Sequence, residues 1–267
     1  MRIVHFKSGL GNQIFYYLFY LFLRDRFPKE NIYGYYLNKD LKSHNGLEID
    51  KVFDIVLPPA TILSNIVAFI CRLLSKLGFK MFKQDKDPVS LNGVLYSAYY
   101  QDKKYFRNNI GSLSFRKFPL DIINKNLLRH IEDSNSVSIH IRRGDYLNPE
   151  NRKIYGNIAT PEYYKKAIEI VKKEIESPVF FIFSNDPQWC IENLNLQDAV
   201  VVSNNIGDKS YIDMFLMSHC RVNIIANSSF SYWAAMLNKN DNKEVIYPRK
   251  WNNELTPDIF PSTWLGL

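Results

Sequence analysis

An α/β fold built on a mostly parallel sheet is what this sequence predicts, and three observations carry the prediction. From Ser136 onward, apolar runs at 137–141, 179–183, 199–202, 222–226 and 245–247 alternate with helical stretches near 161–176, 187–194, 210–219 and 229–238. That alternation is the pattern of parallel strands joined by crossover helices. The amino terminus shows the same unit once: a strand over Arg2–Phe6, a glycine-containing turn over Ser8–Gln13, and a helix over Ile14–Arg26 stopped by Pro28. Finally, 267 residues with 46% hydrophobic content supply a core for one large domain or two of ordinary size.

The segment 30–125 between these units is assigned only coarsely. It is rich in tyrosine, holds Pro58-Pro59 and an amphipathic segment over 62–82, and carries turn signals at Asp87-Pro88 and Asn92-Gly93. No internal repeat, low-complexity tract or flexible linker stands out. The expectation is therefore two halves, 1–130 and 131–267, packed closely across a cleft.

Composition narrows the function classes. Thirty-four Lys and Arg against 27 Asp and Glu leave a net charge of +7, which suits an anionic partner without saying which kind. Nucleic acid is set aside because no compact basic stripe or recognition motif is present. Cys71, Cys190 and Cys220 are widely spaced and form no metal-ligand pattern, which fits a reducing compartment. The apolar run Ile14–Leu23 is ten residues long, half of the ~20 a membrane span needs. A cytoplasmic protein is expected, with peripheral contact at the inner face of the membrane as a further possibility.

The stretch VSIHIRRGDYL at 137–147 is the leading candidate site. Val137, Ile139 and Ile141 alternate with Ser138, His140 and Arg142, as in a strand with one apolar face. Arg142, Arg143 and Asp145 then stand at the strand's carboxyl end, where open α/β sheets bind ligands. Arginine grips phosphate through a planar fork of donors, and Asp145 could hold one guanidinium so that the other faces the ligand. A surface ion pair is the plainer alternative.

Two further strand ends add to it. VFFIF runs into Ser184-Asn185-Asp186-Pro187, where Asp186 could accept from a nucleobase or ribose, or cap the following helix. VNIIA runs into Asn227-Ser228-Ser229-Phe230 and an apolar helix, a suitable anion site, although capping alone would also explain a serine there. The amino-terminal SGLGNQ is similar to a phosphate-cradling turn but lacks a third glycine and a Gly-Lys-Ser. Asp85-Lys86-Asp87 has a D-x-D form but lies in a lysine-rich turn with no strand ahead of it, so no metal site is expected. The 62–82 segment is either a helix resting on an anionic bilayer or a core-facing helix with a charged outer face. Tyr96, Tyr99, Tyr100 and Tyr105 could stack on bases or sugars, or be core.

With these residues in hand the sequence resembles glycosyltransferase family 11, the α-1,2-fucosyltransferases that use GDP-fucose. The matching pieces are KSGLGNQIF at 7–15, YYQDKKYF at 99–106, VSIHIRRGDY at 137–146, FIFSNDPQW at 181–189 and DMFLMSHCRVNIIANSSFSYWAAMLN at 213–238. The resemblance implies a GT-B-like architecture: two Rossmann-like halves facing across a cleft, the donor held mainly by the carboxyl-terminal half and the acceptor mainly by the other. It implies inverting transfer of fucose from GDP-fucose to a galactose-like acceptor, without metal or other cofactor, in the synthesis of bacterial surface glycans whose acceptors are oligosaccharides or lipid-linked glycans. By analogy Arg142 and Arg143 neutralise the diphosphate, with His140 beside them, and Ser184 and Asp186 face the nucleoside. Asn227, Ser228, Ser229 and Phe230 bind the other side, and Gly11, Asn12 and Gln13 close over the reaction centre. A related transferase with another linkage or GDP-sugar, and a non-catalytic glycan- or nucleotide-binding module, are the rival readings. Family members usually carry a glycine where this chain has Ser8 and an aspartate where it has Asn185.

Overall fold

The computed structural model describes all residues except 38, 43, 80–81, 85–89, 195 and 197–198, and does not describe the side chains of 40, 42, 84, 145 and 147. The chain forms two compact units, Met1–Arg116 and Lys117–Leu267. The division falls before the boundary at 130/131 expected from the sequence, because the helix at Ile122–Glu132 belongs with the second unit: buried Asn124 donates to Asn205 Oδ1 over 2.9 Å and Asn205 donates back over 2.9 Å.

The first unit runs β1 (Arg2–His5), α1 (Leu10–Arg26), β2 (Ile32–Tyr35), α2 (Lys39–Lys42), α3 (Ile49–Val52), α4 (Ile62–Lys76), β3 (Lys83–Gln84) and β4 (Leu95–Tyr96). Its four-stranded sheet has the order β2-β1-β4-β3 and every pairing is parallel. Helix α1 begins at Leu10, not at Ile14 as the sequence suggested. Residues 10–13 supply its first turn, with the Asn12 and Gln13 amides donating to Gly9 O at 3.0 and 3.1 Å. Tyr96, Tyr100 and Tyr105 are core, and Phe19 stacks on Tyr100 with centroids 3.7 Å apart; Tyr99 alone of the four is 43% exposed. Close aromatic packing of this kind adds about 0.5–1.5 kcal/mol per pair beyond the area buried.

The second unit runs α5 (Ile122–Glu132), β5 (Ser136–Ile141), α6 (Pro149–Tyr155), α7 (Pro161–Glu174), β6 (Val179–Ser184), α8 (Pro187–Leu194), β7 (Val200–Val202), α9 (Tyr211–Met217), β8 (Val222–Ile224), α10 (Ser229–Leu237), β9 (Glu244–Tyr247) and β10 (Leu265–Gly266). The six strands order as β10-β9-β8-β5-β6-β7, all parallel. Strand order reverses between β5 and β8, and such a switch point is where open sheets take ligands. The predicted α/β class with parallel sheets is what the chain adopts.

Strand β5 departs from the one-sided pattern, since all six of its residues are buried. Its polar positions are satisfied sideways: Ser138 Oγ accepts from Asn223 Nδ2 on β8 at 2.7 Å, and Ser136 Oγ accepts from the Arg221 amide at 3.2 Å. A parallel strand is covered on both faces, so its polar residues must find partners inside. The apolar set Val137, Ile139 and Ile141 meets Tyr164, Ala167 and Val171 of α7 in one core. Each large aliphatic side chain buried there contributes about 1.5–3 kcal/mol. Helix α7 is started by Thr160, whose side chain accepts from the Tyr163 amide, with Pro161 in the first turn.

Candidate functional site

At the carboxyl end of β5 the chain turns through Arg142, Arg143 and the short 3-10 turn Gly144–Leu147. Strand β6 ends beside it, with Ile141 paired to Ser184. This register brings the two motifs 137–147 and 181–189 together. Arg143 Nε donates to Asp186 Oδ2 at 2.9 Å, and the Arg143 amide donates to Asn185 Oδ1 at 2.9 Å. The guanidinium also lies 4.0 Å from the ring centroid of Trp189. Arg143 is thus held on three sides while its side chain keeps 26% exposure. A guanidinium fixed by one nitrogen and a ring face still directs its remaining donors outward.

The acid that holds Arg143 is Asp186; the expectation for Asp145 falls on a side chain outside the described residues. The other Asp186 oxygen accepts from the Trp189 amide at 3.3 Å and so starts α8. Both oxygens are engaged by the protein, which is the capping alternative realised. A Cβ at Gly144 would lie 2.1 Å from Asn185 Nδ2, so a side chain there would push away the Asn185 side-chain amide that accepts from the Arg143 amide. Trp189 and Tyr146 are the parts of the site that the sequence did not single out, and Asn185 was noted only as a departure from the family pattern. The signal for Trp189 was its position one turn into a helix opened by Asp186-Pro187.

Arg142 sits with its guanidinium 5.9 Å from the Tyr146 ring. Tyr146 reaches across to the next strand end, its hydroxyl donating to Asn227 O at 3.0 Å, and its ring stacks on Tyr155 at 5.0 Å. The Asn227 side chain donates to Tyr155 O and Trp251 O at 3.2 and 3.1 Å, so it fixes this loop. Ser228 is the N-cap of α10, accepting from the Phe230 amide at 3.4 Å. Ser229 and Phe230 are half-exposed at the helix's amino terminus. Two arginines and the positive end of α10 therefore stand over neighbouring strands β5 and β8, a combination able to bind a di-anion.

His140 is not a third cation. Burial first, and Arg142 second, push its pKa from 6.5 down to about 3, so the ring is neutral at pH 7. Its carbonyl accepts from Tyr164 OH at 3.0 Å, its ring lies 5.8 Å from Phe230, and Nδ1 has no partner among the described residues. Ser184 Oγ accepts from the Asp186 amide at 3.0 Å, shaping the turn after β6.

The first unit uses the amino-terminal motif differently from the expectation. Gln13 is fully buried; it donates to Ser8 O and Gly46 O at 3.0 and 2.8 Å and accepts from the Glu48 and Ile49 amides at 2.9 and 3.2 Å. All four of its hydrogen-bonding positions are taken, so it clamps the loop before α3 and has no group left for a ligand. Gly11 is buried in the first turns of α1, and Asn12 Oδ1 accepts from Gln101 Nε2 at 3.3 Å. At the end of β1, His5 Nδ1 pairs with Ser97 Oγ at 2.9 Å, and Lys7 donates to Ser97 O at 2.7 Å while lying 4.7 Å from the Tyr99 ring.

Among the described residues no group of three or more His, Cys, Asp or Glu gathers as a metal site, and the Asp85-Lys86-Asp87 triplet lies outside them. No described helix is long and apolar enough to cross a membrane.

Comparison with known proteins agrees with this arrangement. Residues 97–267 match the model of glycosyl transferase family 11. The chain is 32% identical to alpha-1,2-colitosyltransferase of Escherichia coli, over 99% of this chain and 98% of that protein. It is 38% identical to the O-antigen biosynthesis glycosyltransferase WbnK of Escherichia coli over 66% of this chain, a match that spans 61% of that relative. With galactoside alpha-(1,2)-fucosyltransferase 2 of Mus musculus it shares 35% identity over 51% of this chain and 41% of the other. In fold it is similar to the solved fucosyltransferase NodZ from Bradyrhizobium, with TM-score 0.51, 12% identity and coverage of 88% and 92%. On the family match over 97–267 and the end-to-end similarity to one relative, the chain belongs to glycosyl transferase family 11 and is a glycosyltransferase.

Proposed function

We propose that this glycosyltransferase takes fucose from GDP-fucose and transfers it to the 2-hydroxyl of a galactose-like residue in a bacterial surface glycan, with inversion and without a metal ion. The observation that carries the reading is Arg143, held by Asp186 and Trp189 beside Arg142 and the amino terminus of α10. As the acceptor oxygen bonds the sugar's anomeric carbon, the bond to the diphosphate breaks through an oxocarbenium-like state, and the acceptor hydroxyl gives up its proton. Negative charge grows on departing GDP. Fixed guanidinium and helix dipoles aimed at that charge stabilise the transition state more than the ground state. Two arginines would supply the charge that a divalent cation supplies elsewhere, so activity is expected to persist in EDTA. Ser228, Ser229 and Phe230 would hold the far phosphate, and Ser184 would face the nucleoside.

A second donor is favoured by one observation: the relative matched end to end is a colitosyltransferase. Colitose is fucose without its 3-hydroxyl. A pocket that hydrogen-bonds that hydroxyl discriminates strongly against the analogue lacking it, whereas an apolar pocket discriminates weakly. Calorimetry with GDP, GDP-fucose, GDP-colitose, GDP-mannose and UDP-galactose, on wild type and Arg143→Ala, tests both readings. Binding of GDP species that the substitution removes supports the site; equal binding by the variant overturns it, and the preferred sugar chooses the donor.

A further inference from the structure

Helix α4 is inside out. Its small residues Ser64, Ala68 and Cys71 are the buried ones, and Ala68 and Cys71 pack on Ile3, Tyr35 and Leu95 of the first sheet. Its large apolar residues point the other way: Ile62, Ile66, Phe69, Ile70, Leu73 and Leu77 recur at helical spacing and are 45–82% exposed. Of the two readings of this segment, the core-facing helix keeps its contact with the sheet, but its outer face is apolar and not charged. Of the 18 large apolar side chains exposed among the described residues, eight fall between 62 and 79. Single exposed apolar residues need no explanation, but a contiguous face of this kind marks an interaction surface.

The helix is well made despite this exposure. Thr61 and Ser64 form a reciprocal capping box, Ser64 N donating to Thr61 Oγ1 at 3.0 Å and Thr61 N to Ser64 Oγ at 2.9 Å. Charge then selects the partner. No Asp or Glu occurs between Asp54 and Asp85, and Arg72, Lys76, Lys80 and Lys83 all fall in that interval. Lys76 is exposed in the last turn, and Arg72 flanks the apolar face with its guanidinium donating to Tyr35 OH at 3.0 Å. An exposed apolar stripe in a segment that carries cations and no acid of its own matches an anionic lipid surface, into which such a helix lays its apolar face at the headgroup boundary while the cations meet the phosphates.

We infer that α4 is a membrane-docking helix that seats the first unit on an anionic phospholipid bilayer. This stands independently of the donor sugar. The test is flotation of the full chain with vesicles of phosphatidylcholine alone and of phosphatidylcholine with an equal amount of phosphatidylglycerol, for wild type, Phe69→Gln/Leu73→Gln and Lys76→Glu. Wild type is expected to float with the anionic vesicles and to be released by high salt. The double variant should lose at least about tenfold in partitioning and Lys76→Glu a few-fold. Far-UV circular dichroism and thermal unfolding of each variant report that the fold is intact. Failure of wild type to bind anionic vesicles, or undiminished binding by the double variant, would overturn the inference. So would a wild-type dimer in solution that the double variant converts to monomer, because the face would then belong to a second copy of the chain.

Discussion

The end of β1 reads His5-Phe6-Lys7-Ser8 and the end of β5 reads His140-Ile141-Arg142-Arg143, and each strand is the first of its own sheet, flanked on one side by the next strand and on the other by a later one. Both histidines are buried and neutral, with pKa pushed down to about 3 chiefly by desolvation. Beyond the histidine the two ends diverge. At β1 the polar groups close on each other, with Lys7 bonded to Ser97 O and Gln13 saturated by backbone. At β5 a second cation follows, and an acid from the neighbouring strand holds it with donors to spare. The comparison teaches what sets the candidate site apart from a strand end with one cation: two successive arginines, one of them fixed by an acid and a ring face from the neighbouring strand's end.

The largest expected effect that would break this contrast is on Arg143. Arg143→Ala should lower transfer about 100- to 1,000-fold with thermal stability retained, because a positioned donor to the leaving charge is lost. Lys7→Ala should leave GDP affinity unchanged, and calorimetry on both variants measures the difference directly. Next comes Gln13→Ala, which leaves buried backbone groups unpaired and should cost about 3 kcal/mol in urea unfolding while sparing GDP affinity. Loss of nucleotide binding at unchanged stability would instead place Gln13 in the site.

The two histidines predict an acid-side slope. The unfolded chain protonates each near 6.5 and the folded chain near 3, so the unfolded state binds more protons between those values and stability falls as pH drops through that window. Replacing either histidine by glutamine should remove at most about 1.4 kcal/mol per pH unit from the slope, read by denaturant melts from pH 6.5 to 4. Trp189→Ala should be milder, weakening GDP binding by about fivefold through loss of the ring under the guanidinium. Smallest is Ser8→Gly in the turn after β1. Ser8 holds φ at 61°, where a side chain is strained, so glycine there should stabilise by up to about 1 kcal/mol in the same melts.

Much of the second unit was legible in the sequence, because each of its longer strands is an apolar run or is bounded by a helix with a readable start. Thr160-Pro161 and Asp186-Pro187 announce α7 and α8 by residue type alone. The first unit was not legible in the same way: β3 and β4 are two residues each, too short to show a period, and they exist only because β4 lies beside β1 and β3 beside β4. Strand β10 at the carboxyl terminus is hidden for the same reason. In the candidate site the sequence pointed to Arg142, Arg143 and Ser228, but not to Asp186 as the acid that holds Arg143, since nothing local links residues 43 apart. That pairing is decided by the parallel register of β5 against β6, which sets Ile141 beside Ser184.

Local chemistry thus determined the class of fold, the strand ends that carry cations and the helix starts that face them, because hydrogen-bond periodicity and capping act within a few residues. Tertiary structure alone decided that Asp186 orients Arg143, that Gln13 is a clamp, and that α4 turns its apolar side outward. Each of those depends on which groups from distant parts of the chain desolvate one another, and a single sequence does not state its neighbours in space.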